Sequence, residues 1–194
     1  MIYYFTYFAT KVLSWLYFPY KAYGTENIPR QGGFILASNH ISNLDPVVLG
    51  ICSVRRMNFM AKIELFKKQP LGYFLNKLGA FPIKRGEADF GALKEALKRL
   101  KNGKPVLIFV EGSRRKGHEP ARAQSGVGFL AMKSAVPIVP VYLKGTDKVL
   151  PPGAKIFKRG VVEASFGKPF YINEDGNTYQ HASQQILDEI YKLS

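Results

Sequence analysis

A histidine and an aspartate on one turn are the first candidates for chemistry in this sequence of 194 residues. His40 follows an apolar run at 33–38, and Asp45-Pro46 opens a predicted helix soon after it. Ligands of open α/β sheets collect where strands end. The Asp45 carboxylate can hold one imidazole N–H and leave the other nitrogen as a general base near neutral pH. Aspartate before proline is also typical of a plain helix start, so both interpretations stay open.

No protein nucleophile with the required context accompanies this pair. The sequence contains neither a nucleophile elbow nor a phosphate-binding Walker loop, and Cys52 falls inside a predicted helix as a small core residue. His118 and His181 lie in polar surroundings, so no metal site is predicted. The glycines at 126–128 imitate a dinucleotide fingerprint but follow no strand, which indicates close helix packing. A base without a protein nucleophile indicates direct attack by a substrate hydroxyl.

Positive charge follows two further predicted strands. Arg85 comes just after a strand at 80–84, and Glu111 and Arg114 come just after a strand at 106–110. Glycines beside them allow the backbone to approach a ligand, and the guanidinium fork suits a phosphate group. These two segments therefore predict a site for an anionic group.

The elements that must position these residues alternate along the chain. Apolar runs predict strands at 33–38, 58–62, 80–84, 106–110, 138–143 and 161–166. Amphipathic stretches predict helices at 46–52, 88–101, 124–134 and 178–192. This order is typical of an α/β fold with a mostly parallel central sheet flanked by helices. No Pro, Gly or Ser linker divides residues 24–194, so we predict a single domain there.

Residues 1–23 differ in composition from the rest of the chain. They hold ten of the 26 aromatic residues and no acidic residue, with Lys11 near the middle. Lys11 disfavours a spanning helix, and tyrosine and tryptophan favour the headgroup boundary. We therefore expect an N-terminal membrane-associating helix that lies in the interface; the alternative is a helix packed on its own domain.

The charge balance limits the partners without selecting one. The chain has 28 Lys and Arg against 14 Asp and Glu, a formal net charge of +14. This predicts an anionic partner: a nucleic acid, an acidic protein, a phosphorylated metabolite or an anionic bilayer. Nucleic acid is disfavoured, because the aromatic residues are not interleaved with the basic run as stacking would require. A single cysteine excludes an internal disulfide.

Four segments in order resemble the motif blocks of the glycerolipid acyltransferase family, whose typical members are 1-acyl-glycerol-3-phosphate acyltransferases. The blocks are Asn39-His40 through Asp45-Pro46, which fits His-x4-Asp, then Gly79 to Arg85, Phe109 to Arg114, and Val136 to Val141. Val110 stands where proline is common in that family and Ser113 where threonine is common. Lys62 also resembles a basic position near the acceptor phosphate.

The resemblance implies a mechanism and a site. His40 would deprotonate the free hydroxyl of a lysophospholipid as it attacks an acyl thioester, and Asp45 would fix the imidazole tautomer. Five residues would bind the substrate. The phosphate of the acceptor would contact Lys62, Arg85 and Arg114, and the third block would be shaped by Glu111 and Gly112. The product would be phosphatidic acid, a step of phospholipid biosynthesis.

The resemblance also implies binding partners and a cellular location. The co-substrate would be an acyl-CoA or acyl carrier protein thioester, with no cofactor and no metal. The protein would sit on the cytoplasmic face of a membrane as a peripheral or monotopic protein bound to anionic lipid. One alternative keeps the chemistry and changes the lysolipid acceptor. The other is a basic membrane-binding protein without catalytic activity.

Overall fold

Seven short strands form one sheet in the computed structural model, which describes residues 2–84, 89–112, 122–154, 156–173, 176 and 178–194. The strands are β1 (Tyr20–Tyr23), β2 (Ile35–Ser38), β3 (Asn58–Lys62), β4 (Ala80–Ile83), β5 (Val106–Phe109), β6 (Ile138–Lys144) and β7 (Val162–Phe166). Their order across the sheet is β1-β7-β6-β2-β5-β3-β4. All neighbours run parallel except β6 and β7.

Helices cover this sheet on both faces. They are α1 (Ile2–Tyr17), α2 (Asp45–Cys52), α3 (Ile63–Lys67), α4 (Leu71–Lys77), α5 (Phe90–Lys101), α6 (Ser125–Ser134), α7 (Thr146–Val149) and α8 (Tyr179–Tyr191), with a 3-10 turn at Thr25–Asn27. The predicted α/β class with a mostly parallel sheet is confirmed. The three shortest helices, α3, α4 and α7, had no counterpart in the sequence prediction.

Alternate residues of each central strand serve two separate cores. Ile35 packs with the cluster that includes side chains of α5, α6 and α8, whereas Leu36 packs with the cluster that includes α2. All four residues of β2 are buried. This two-sided burial explains why the strand reads as a continuous apolar run rather than as an alternating pattern.

Helix α5 shows how sequence sets an element's limits. The Asp89 side chain accepts the backbone N–H of Ala92 at 3.0 Å and so caps the first turn. Hydrogen bonds from the backbone N–H groups of Lys84 and Ala92 hold the pKa of Asp89 below its usual value. A stripe of three residues faces the core: Ala92, Ala96 and Leu100. Gly103, at a φ of +72°, follows the end of the helix.

The N-terminal helix ends earlier than predicted. The sequence assigned residues 1–23 to it, but α1 ends at Tyr17 and Tyr20–Tyr23 pair in parallel with β7. Pro19 explains the break, because a residue before proline is pushed out of the helical region. That residue, Phe18, is fully buried in the core. In the part of the chain described here, no helix has both the length and the hydropathy needed to cross a bilayer.

Close packing of α6 on α8 depends on a glycine, as the sequence indicated. The Gly128 N–H donates to Ser183 Oγ at 2.9 Å. A Cβ atom at Gly128 would lie 2.1 Å from the carbonyl oxygen of Tyr179. No real Cβ contact is that short, so a side chain here would push the two helices apart.

We therefore expect Gly128→Ala to lower the free energy of unfolding by about 1–3 kcal/mol, the usual cost of overpacking a core. The matched control is Gly50→Ala, because Gly50 is also inside a helix and has open space at the Cβ position. That control should raise the free energy of unfolding by about 0.5–1 kcal/mol. Urea denaturation followed by circular dichroism measures both, and equal effects of the two substitutions would contradict this packing.

Candidate active site

The His40 turn lies at the carboxyl end of β2, in the middle of the sheet. His40 Nδ1 is 2.7 Å from Asp45 Oδ2, and the two side chains are 6% and 0% exposed. The same oxygen accepts the backbone N–H groups of Ile41 at 2.7 Å and Ser42 at 2.8 Å. All three contacts bring a donor to the same buried oxygen, so Oδ2 is the acceptor in each of them. The spacing of His40 and Asp45 therefore does produce a histidine–carboxylate pair.

The structure also decides between the two interpretations of Asp45. The residue at the N-cap of α2 is Leu44, and Asp45 is the first residue of the helix, with Pro46 following. Its side chain bonds to the preceding turn and to His40, not to the free N–H groups of α2. Asp45 is therefore not an ordinary helix cap.

The hydrogen bonds assign the tautomer of His40. An ionised carboxylate can only accept, so Nδ1 carries the proton and Nε2 keeps its lone pair. The imidazole also stacks on the Phe109 ring, with 4.0 Å between ring centroids and 16° between planes. Asp45 and Phe109 together fix the direction and the plane of the imidazole. A general base requires a ring that is held in this way with one nitrogen free.

Two polar side chains tie the turn to β6 and to the segment after it. The side chain of Asn39 donates to the carbonyl of Leu143 at 2.9 Å and accepts the Leu143 N–H at 2.7 Å. Ser42 Oγ donates to the carbonyl of Leu150 at 2.7 Å. The turn is thus fixed at both ends rather than held by His40 and Asp45 alone.

Glu111 lies behind the turn. Its Oε2 accepts the backbone N–H of His40 at 3.4 Å and its Oε1 accepts the hydroxyl of Tyr191 at 2.7 Å. The side chain is buried, at 7% exposure. The contacts of Glu111 thus connect α8 to the backbone of the His40 turn. Gly112 follows at a φ of +69°, where a Cβ would lie 2.8 Å from Gln124 Cγ.

An apolar cleft of about 620 Å³ opens beside His40. Its walls come from α1, α2, α3 and α4, and its floor from β3 and β5. Phe74, Leu75 and Leu78 contribute part of the apolar wall, and Lys62 lines the same cleft from the end of β3. The structure therefore brings His40 and Lys62 to one cleft. Arg85 and Arg114, the two predicted phosphate contacts at strand ends, lie outside the described residues.

Cys52 offers no alternative chemistry. Its thiol is buried at the end of α2, and burial raises its pKa to about 12. Only the thiolate is a good nucleophile, so this thiol stays unreactive near neutral pH. The prediction that Cys52 is a core residue is confirmed.

One residue of the site had no role in the sequence prediction. Thr146 Oγ1 donates to Asp45 Oδ1 at 2.5 Å, and both residues are 0% exposed. Thr146 is far from Asp45 in sequence. The one available signal was its place three residues after the predicted strand 138–143, at the edge of the sheet where ligands collect.

A histidine–carboxylate pair at the end of a parallel strand, next to an apolar cleft, suits an enzyme that activates the hydroxyl group of an apolar substrate. The sequence matches the family model described as Acyltransferase over residues 20–144. The chain therefore belongs to the Acyltransferase family.

Named relatives agree with this assignment. A 1-acyl-sn-glycerol-3-phosphate acyltransferase of Bacillus subtilis is 32% identical over 164 residues, 84% of this chain and 79% of that protein. The chloroplastic enzyme BAT2 of Brassica napus is 32% identical over 88% of this chain, which spans 51% of that protein. The crystal structure of PlsC, the LPA acyltransferase of Thermotoga maritima, has a TM-score of 0.76 at 26% identity, covering 97% of this chain and 78% of that chain.

Proposed function

We propose that this protein is a 1-acylglycerol-3-phosphate O-acyltransferase. It transfers a fatty acyl group from an acyl thioester to the free hydroxyl of 1-acyl-glycerol-3-phosphate and so forms phosphatidic acid. The observation that carries the proposal is the 2.7 Å contact between His40 Nδ1 and Asp45 Oδ2 at an apolar cleft that also holds Lys62. Relatives that are named 1-acyl-sn-glycerol-3-phosphate acyltransferase support the choice of acceptor.

The proposed chemistry is general-base catalysis of direct acyl transfer. His40 Nε2 takes the proton of the acceptor hydroxyl as its oxygen attacks the thioester carbonyl. The new C–O bond forms, the C–S bond breaks, and the departing sulfur receives the proton from Nε2. Asp45 stabilises the imidazolium that exists between these two proton transfers. The step requires no metal and no resident cofactor.

The cleft offers separate surfaces to the hydrocarbon chain and to the phosphate of the acceptor. The apolar wall of α4 suits a hydrocarbon chain, as concave and mostly apolar sites do. Lys62, at the end of β3, suits the phosphate, and the sequence adds Arg85 and Arg114 as phosphate contacts. An acyl-CoA or an acyl carrier protein can serve as the thioester donor, since both bring negative charge to a chain of net charge +14.

We also propose that the protein binds an anionic membrane through α1, as a peripheral or monotopic protein. Of the residues of α1, only Ser14 is buried. Four of its aromatic side chains are highly exposed: Tyr4 75%, Phe5 77%, Phe8 69% and Trp15 78%. Tyr3 and Tyr7 of the same helix line the cleft. A lipid could thus enter the cleft along α1 without leaving an apolar environment.

The general-base assignment predicts a large loss on His40→Ala. Turnover of lysophosphatidic acid with an acyl thioester should fall by about 10²–10⁴-fold. The matched control is His181→Ala, because His181 is exposed on α8 and away from the cleft; its turnover should equal that of the wild type. Thermal unfolding checks that both variants fold.

Wild-type turnover by His40→Ala would refute the general-base assignment. The wild-type enzyme is also assayed against a panel of lysolipids with other head groups. A higher kcat/KM for one of those acceptors would overturn the choice of lysophosphatidic acid and support a different acceptor for the same chemistry. Vesicle binding without acyl transfer to any acceptor would favour the non-catalytic alternative.

The membrane proposal predicts a specific effect of the α1 aromatics. Replacing Phe5 and Phe8 by serine should weaken binding to anionic vesicles at least ~10-fold, since each buried phenylalanine contributes roughly 1.5–3 kcal/mol. Phe90→Ser is the control, because Phe90 on α5 is 69% exposed, as Phe8 is. Co-sedimentation measures the bound fraction. Equal binding by the α1 double variant and the wild type would exclude α1 as the anchor.

A further inference from the structure

Thr146 reaches the catalytic turn from a neighbouring strand. Strand β6 lies beside β2 in parallel, with Ser38 opposite Val141, so their carboxyl ends meet at one edge of the sheet. Gly145 follows β6 at a φ of +87°, and a Cβ there would lie 2.3 Å from the carbonyl of Val161. This tight turn, which favours glycine, places Thr146 directly beside Asp45.

The two oxygens of the Asp45 carboxylate have different partners. Oδ2 accepts from His40 and from the turn, whereas Oδ1 accepts the hydroxyl of Thr146 at 2.5 Å. Asp45 and Thr146 are both fully buried. A buried carboxylate depends on protein donors because water does not reach it.

Rotation of the carboxylate is the reason that this second contact matters. The terminal torsion of aspartate is broad and roughly two-fold, so its side-chain rotamer alone does not fix the carboxylate plane. A donor on Oδ1 fixes that plane and keeps Oδ2 directed at His40. The position of Thr146 is itself secured, because Ser42 Oγ donates to the carbonyl of Leu150 just beyond α7.

We propose that Thr146 is a positioning residue of the active site. Its hydroxyl holds the Asp45 carboxylate in the orientation that fixes the tautomer of His40 and stabilises the imidazolium formed during proton transfer. Thr146 is not among the cleft-lining residues, so it acts through Asp45 and not on the substrate. This inference rests on the proposed function, in which His40 is the general base.

Removing only the hydroxyl tests the inference. Thr146→Val keeps nearly the same shape and leaves Oδ1 without this donor. We expect kcat to fall by about 10- to 100-fold. A loss of this size is expected when a buried, charged acceptor loses one of its hydrogen-bond donors. The KM for lysophosphatidic acid should stay within ~2-fold, because the lost interaction acts in the transition state. Thr146→Ser keeps the hydroxyl and should retain kcat within ~3-fold.

Two comparisons separate positioning from a general loss of structure. Ser183→Ala removes another fully buried hydroxyl, one that bonds α6 to α8, and should leave kcat unchanged. Thr146→Ala against Thr146→Ser repeats the test with a pair that differs by the hydroxyl alone, so a Val variant that fails to fold does not remove the test. Circular dichroism reports folding in every case.

His40→Ala, assayed alongside, distinguishes two failures. Wild-type turnover by His40→Ala would mean that His40 is not the general base, the part of the proposed function on which this inference rests. If His40→Ala loses turnover as predicted and Thr146→Val keeps wild-type kcat, Thr146 has no positioning role. A Ser variant as impaired as the Val and Ala variants would also overturn the inference, because the methyl group and not the hydroxyl would then be what the site requires.

Discussion

A charged carboxylate with no exposure to solvent is the constraint on which this site depends. Asp45 must remain ionised to orient His40, and it can do so in the protein interior only where donors surround it. Those donors come from the turn after β2 and from Thr146, which follows Gly145 after β6. The order of the strands therefore matters for the site. Because β6 lies beside β2 and runs parallel to it, the segments that follow these two strands meet at one edge of the sheet.

The same arrangement explains how a polar site can serve a lipid substrate. His40 is almost completely buried among polar partners on one side, and on the other it lines an apolar cleft. Helix α1 has two faces with different neighbours: one lines the cleft, and the other exposes aromatic side chains. In the proposed function, the proton transfer and the hydrocarbon chain of the acceptor thus meet at His40, in a cleft that Lys62 also lines.

Local features of this protein could be predicted from its sequence, and long-range contacts could not. Continuous apolar runs predicted β2 and β5 because both faces of these strands are covered. The spacing of His40 and Asp45 predicted their contact because both lie on one turn. Thr146 could not be paired with Asp45 without knowing that β6 neighbours β2. Strand β1 was missed because its aromatic residues continue the composition of α1, although Pro19 marks the break between them.

The protonation state of the His40 ring tests the central claim most directly. Nitrogen NMR of protein labelled with ¹⁵N-histidine, with the His40 signals assigned by their loss in His40→Ala, reports which ring nitrogen carries the proton. The account predicts that the neutral imidazole carries its proton on Nδ1 and a free lone pair on Nε2. A neutral imidazole with its proton on Nε2 would contradict it, because Nδ1 faces Asp45 and that tautomer has no lone pair directed at the acceptor hydroxyl.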